Sequence, residues 1–162
     1  MKLIAIDISG NHASEKEGSG TTGIATWTPE TDYNLEEIKA SDFETTEVYW
    51  DRIIDWATGG FDHVIIEGYR LYNHRGMSAS TQANSTLMTS QLLGALRYGL
   101  WFNGTPYSIQ YASEVKTRWS DEILIKNGYL EEGNRFKGER TNDHKRDALR
   151  HLVHYMTYKM KG

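Results

Sequence analysis

Two short apolar runs in this chain, Leu3-Ile4-Ala5-Ile6 and Val64-Ile65-Ile66, each end on a single carboxylate, Asp7 and Glu67. Runs of this length and composition read as strands, and unbroken apolarity suits a strand covered on both faces. Glutamate is a poor strand former, and burying it unpaired costs several kcal/mol, so Glu67 at such a strand end calls for a partner. A third carboxylate comes from near the end of the chain. Asn142-Asp143-His144-Lys145-Arg146-Asp147-Ala148-Leu149 reads as the opening of the last helix. Asp143 and His144 lie four and three positions before Asp147 and so share its face.

The remaining elements follow from periodicity and turn residues. Lys2–Ile8, Gly23–Thr28 and the weaker Tyr33–Ala40 read as three strands, with Ser9–Thr22 as a polar hairpin loop between the first two. Ser41 or Asp42 caps an expected helix with apolar positions Val48, Ile53, Ile54 and Trp56, stopping at Gly59-Gly60. His63–Glu67 is the fourth strand and Tyr69–Ala79 a loop. A long helix is expected from about Ser80 to Trp101, where Ala83, Ser90, Gly94 and Ala95 permit close packing. Pro106–Tyr111 is the fifth strand. Short helices are expected over Glu114–Trp119 and Ser120–Lys126, the second capped at Ser120. Asn127–Thr141 is turn-rich, and the last helix opens at Asn142 or Asp143 and runs to about Lys159. Three strands followed by alternating helices and strands predict an α/β fold. A chain of 162 residues, 38% hydrophobic and without repeats, fits one domain over residues 1–162 that buries roughly two-thirds of its unfolded surface.

The chain contains no cysteine, which excludes disulfides, thiolate catalysis and zinc-thiolate sites, so any metal must be held by oxygen or imidazole. No apolar stretch approaches the about 20 residues of a membrane span, and Met1-Lys2-Leu3 enters a strand directly, so a soluble, unexported protein is expected. The net charge of -4 argues against a nucleic-acid partner until its distribution is considered. Residues 11–47 carry a net -7, whereas residues 68–120 carry +4 and residues 135–150 carry +3. Positive charge thus accompanies the three acids, as a polyanionic substrate requires, although solvated faces produce the same pattern.

Hydrolysis of a phosphodiester needs in-line attack by water while charge builds on the phosphate, and two hard cations about 3.5–4 Å apart supply both needs. Magnesium, or alternatively manganese, prefers oxygen ligands, and Asp7, Glu67 and Asp147 match that inventory. His144 is a candidate ligand or proton shuttle. Asp143 is either an N-cap or an auxiliary charge at the metal. Tyr69, Arg70 and Tyr72 follow Glu67 and either pack or stack on exposed bases, and Arg70, Arg75 and Lys116 are candidate phosphate contacts. Gly18-Ser19-Gly20 and Gly59-Gly60 form no phosphate loop, which disfavours a nucleotide cofactor.

The arrangement resembles the RuvC family of Holliday-junction resolvases within the ribonuclease H-like superfamily. Ile4-Ala5-Ile6-Asp7 is similar to the family's first-strand motif and Val64-Ile65-Ile66-Glu67 to its second acidic motif. Ser90-Gln91-Leu92-Leu93-Gly94 resembles its central-helix Gln-x-x-Gly, Tyr111-Ala112-Ser113-Glu114-Val115-Lys116 its Val-Lys element, and His144-x-x-Asp147-Ala148 its closing helix. The resemblance implies a mixed five-stranded sheet, its first three strands antiparallel, in a magnesium-dependent homodimeric endonuclease that nicks four-way junctions and other branched DNA. It implies catalytic acids at Asp7, Glu67 and Asp147, with the remaining metal position at His144. It further implies that Lys116 lies near the DNA backbone, that Tyr69 stacks at the junction centre, and that the helix over Ser80–Trp101 makes the dimer contact. The small size is reminiscent of bacteriophage members, which would act in the cytoplasm of a bacterial host. Competing expectations are a ribonuclease H-like nuclease for hybrid or linear DNA, a non-catalytic module that binds branched DNA, and an actin-like nucleotide-binding fold.

Overall fold

Strand residues two apart face the same side of a sheet, and this alternation sorts the apolar runs between two cores. The computed structural model describes residues 1–12, 20–68 and 79–160, without the side chains of 79–86. Strands β1 (Leu3–Asp7) and β4 (His63–Gly68) pair in parallel, with Ile4 opposite Val64 and Ile6 opposite Ile66. Ile4, Ile6, Val64 and Ile66 pack on one face beneath α1 (Thr46–Ala57) and α2 (Ala79–Asn103). Leu3, Ala5 and Ile65 face the other way, against Ala148, Leu149, Leu152 and Val153 of α5 (Asp143–Tyr158). One further step of the same alternation puts Asp7 on the Leu3–Ala5 face and Glu67 on the Ile65 face, so both carboxylates point toward α5.

Strands β2 (Thr21–Thr28) and β3 (Asp32–Lys39) extend the sheet antiparallel from β1, and β5 (Tyr107–Tyr111) adds in parallel to β4. The order is β3-β2-β1-β4-β5, the expected mixed five-stranded α/β sheet. Short helices α3 (Ala112–Val115) and α4 (Asp121–Lys126) follow, and the turn-rich segment contains a small hairpin of β6 (Arg135–Phe136) and β7 (Glu139–Arg140). Asn142 caps α5, accepting a hydrogen bond from the Lys145 amide at 2.9 Å. Ser120 caps α4 in the same manner.

Several local expectations are corrected. Neither Ser41 nor Asp42 caps α1, because Ala40–Asp42 forms a 3-10 turn and Thr45 takes the cap. The buried face of α1 is Tyr49, Ile53 and Ala57, one position away from Val48, which is 52% exposed. The first short helix is Ala112–Val115 rather than Glu114–Trp119, since Tyr111 caps it immediately after β5. Helix α2 packs inward through Leu92, Leu96 and Leu100, with Gly99 against Ile54. A side chain at Gly94 would meet nothing within 4 Å, so this glycine serves no packing within the described chain. Residues 13–19 of the expected first loop, and Tyr69, Arg70, Tyr72 and Arg75, lie outside the described residues.

One glycine sets how closely α5 approaches the sheet. Gly23 is the register partner of Asp7, and a Cβ there would stand 2.0 Å from the His144 carbonyl oxygen. Backbone blocks backbone at this point, so Gly23→Ala forces α5 outward. The expected cost is about 3 kcal/mol, a fall of about 6–12 °C in melting temperature, checked by thermal denaturation.

Candidate functional site

Because β1 and β4 are in register, Asp7 and Glu67 end side by side, and the first turns of α5 cross above them. One carboxylate oxygen from each of Asp7, Glu67 and Asp147 lies within 4.8 Å of the others. Their side chains are only 14–15% exposed, so water screens the mutual repulsion poorly.

The cluster responds by titrating unequally. Burial raises Asp7 well above the ordinary carboxylate range, reinforced by its hydrogen bond with Glu67 and the charges of Glu67 and Asp147, with Lys116 opposing. Burial pushes Glu67 up as well, but His151, the Asp7 hydrogen bond and Lys116 outweigh it and bring it down to about 2. At 3.8 Å the contact from His151 Nε2 to Glu67 Oε1 is too long for a hydrogen bond. Asp147 is raised by burial and by Glu67, against Lys116. The Lys116 ammonium stands 3.2 Å from Asp147 Oδ2. Burial lowers its pKa, but Asp147 and Glu67 overcome that and leave it raised.

A divalent cation fits this donor set. Three hard oxygen donors converge, their negative charge is incompletely neutralised, and the half-exposed Lys116 is free to withdraw toward solvent. A sign-specific pH dependence follows. In metal-free protein the raised Asp7 stabilises the fold at low pH, and this contribution is lost as pH rises through its folded pKa. Glu67 contributes in the opposite sense, stabilising above 4.5 and losing that contribution as pH falls toward about 2. A cation must displace the Asp7 proton, so the rise in melting temperature caused by magnesium should shrink on acidification at a pH well above 3.8. Melting curves with and without magnesium across pH check this.

His144 reaches the cluster from one side, its Nδ1 3.5 Å from Asp7 Oδ2, but is not one of the three converging groups. Asp143 does not join them either. Its side chain is 86% exposed and accepts from Arg146 Nη2 at 2.5 Å, an i,i+3 pairing within the first turns of α5. The expectation that Asp143 supplements charge at the metal finds no support in this geometry. Lys116, expected to touch DNA, lines a cleft of ≈ 390 Å³ with Ser120, Asp121, Asp143, Asp147 and Arg150.

Two residues escaped the sequence reading. Arg150 is buried and donates from Nη1 to Asp147 Oδ1 at 2.7 Å, from Nη2 to Asp121 Oδ1, and from Nε to the Trp119 carbonyl at 2.6 Å. His151 is also buried, facing Glu67. Their positions three and four residues after Asp147 put them on its helical face, the spacing that would have found them.

A mixed sheet of this order, its first three strands antiparallel and α5 packed across the centre, is the ribonuclease H-like fold. Compared with solved structures, the chain is similar to Thermus thermophilus RuvC in complex with a Holliday junction substrate, at 17% identity and TM-score 0.66, covering 99% of this chain and 96% of that one. It is also similar to a further Thermus thermophilus RuvC structure, at 18% identity and TM-score 0.62, with the same coverage. The fold is thus RuvC-like. No protein-family model and no curated protein matches the sequence.

Proposed function

We propose that this chain is a metal-dependent, structure-selective DNA endonuclease that nicks four-way junctions, working as one nuclease domain over residues 1–162 in a homodimer. The observation that carries the reading is the meeting of Asp7, Glu67 and Asp147, drawn from three distant segments, on a RuvC-like sheet. In this reading the three carboxylates hold magnesium or manganese, with His144 as a further ligand or as the group that passes a proton. Such cations supply Lewis-acid neutralisation of the phosphate and a lowered pKa for the attacking water. Lys116 exchanges Asp147 for a backbone phosphate as substrate arrives, keeping its charge beside the reacting group. Arg150 restrains Asp147 Oδ1 throughout. Arg70 and Arg75 hold further phosphates, and Tyr69 stacks at the branch point.

Helix α2 supports the dimer. Leu87, Gly94, Tyr98 and Trp101 recur at helical spacing on its outer face, and Leu87, Tyr98, Trp101 and the adjoining Phe102 are 54–76% exposed. A largely apolar stripe, polar at Gln91 and with a glycine beside it, suits a second copy of the same helix. Gly94→Arg should therefore give a monomer by light scattering and uncouple the paired nicks, while the metal-induced rise in melting temperature persists.

Cleavage of a four-way junction, a flap, an RNA–DNA hybrid and plain duplex under one magnesium condition tests the substrate assignment. The junction is expected to be cut fastest. Preference for the hybrid would overturn the assignment in favour of a ribonuclease, and junction binding indifferent to chelation with no products would overturn it in favour of a non-catalytic module.

A further inference from the structure

Buried polar atoms without a partner are rare and call for a reason. Among the described residues, two of them belong to one touching pair, Gln110 Oε1 and His151 Nε2. Gln110 is the register partner of Glu67 on β5 and is 3% exposed, and His151 lies one helical turn beyond Asp147 and is 1% exposed.

The hydrogen bonds of this pair determine where the imidazole proton sits. Gln110 Nε2 donates to the His151 backbone carbonyl at 2.9 Å, which sets the amide orientation, since the flipped amide would press Oε1 against another carbonyl oxygen. The same Nε2 lies 3.2 Å from His151 Nδ1 and presents its second hydrogen there. Nδ1 therefore accepts, and the ring proton resides on Nε2. That N–H faces Glu67 Oε1 across 3.8 Å, about 1 Å longer than a hydrogen bond. A buried donor left without an acceptor is unfavourable, and a small rotation of Glu67 removes that cost.

We propose that His151 is a positioning residue for Glu67. Its Nε2–H, held in that tautomer by Gln110, engages Oε1 when Glu67 turns to the cation, leaving the second carboxylate oxygen to ligate. Partners of this kind fix a ligand's orientation and raise metal affinity by about 10–100-fold. A histidine that only fills the core does not require a buried glutamine donating to it, or its free N–H aimed at a carboxylate.

The inference rests on the metal-site reading above, and its test separates the two. Manganese binding to the full chain is measured by electron paramagnetic resonance for wild type, His151→Leu and His151→Gln, alongside metal-free melting temperatures. Leucine is expected to weaken manganese binding by about 10–100-fold, and glutamine, whose amide N–H reaches the same point, to restore most of it. Ring ¹⁵N shifts of the wild type should show Nε2 protonated and Nδ1 not. Wild-type affinity in the leucine variant, equal weakness of leucine and glutamine, or a proton on Nδ1 would overturn the role of His151. So would a leucine variant that lowers only the metal-free melting temperature. A wild type that binds no manganese overturns the metal site itself, and His151's role with it.

Discussion

Asp7→Asn is expected to abolish nicking of a four-way junction in magnesium while leaving junction binding within a few-fold of wild type. Losing a carboxylate proposed to hold the cations would remove several kcal/mol of transition-state charge stabilisation, and about 4 kcal/mol corresponds to about 10³ in rate. The same substitution should stabilise the metal-free protein. Asp7's raised pKa means that the folded state prefers it protonated, so its ionisation at neutral pH works against folding. Asparagine carries no charge and relieves that repulsion, so the melting temperature in chelator should rise. In the wild type, magnesium at about ten times its dissociation constant should add about 1.4 kcal/mol, or about 3–6 °C, and in Asp7→Asn this rise should vanish. Greater stability with lost activity marks a functional group, whereas a structural aspartate would lose stability on the same change.

Arg150→Ala carries the largest expected effect on stability. The guanidinium is buried among Asp147, Asp121 and the Trp119 carbonyl, all of which it bonds. Burial pulls its pKa down, yet three acceptors depend on it. Removing one partner of a buried ion pair leaves the other charge uncompensated, at about 3–5 kcal/mol, so the melting temperature should fall by about 10 °C. Magnesium should recover part of this loss, because a cation held by the three carboxylates would supply Asp147 with positive charge. Thermal denaturation of the variant with and without magnesium checks both parts.

The convergence of Asp7, Glu67 and Asp147 was legible because each sits at a place where sequence pattern and geometry are tightly coupled. Two are strand-end acids, where period-two alternation determines the face, and the third is on a helix whose cap and apolar stripe are both visible. The short range of such patterns explains what was not legible. Asp143 and His144 share a helical face with Asp147, and only the approach of Arg146 to one and Asp7 to the other separates them. Val48 and Tyr49 are neighbours on α1, and the choice between them follows from which side of the helix meets the sheet, where the Tyr49 hydroxyl reaches Thr22 and the Ser9 carbonyl. Gly94 looks like a residue for packing inside the chain, but its face of α2 is the outer one, which depends on tertiary placement. The pairing of Gln110 with His151 joins residues 41 apart in sequence and leaves no local trace.

These carboxylates are expected to make a metal-driven junction nuclease. Incubation of the wild-type chain with a labelled four-way junction, in magnesium and in excess chelator, is the most direct measurement. Paired nicks near the branch point in magnesium, and bound but intact junction in chelator, are the predicted result. Intact junction in both conditions, or equal cleavage in both, would contradict it.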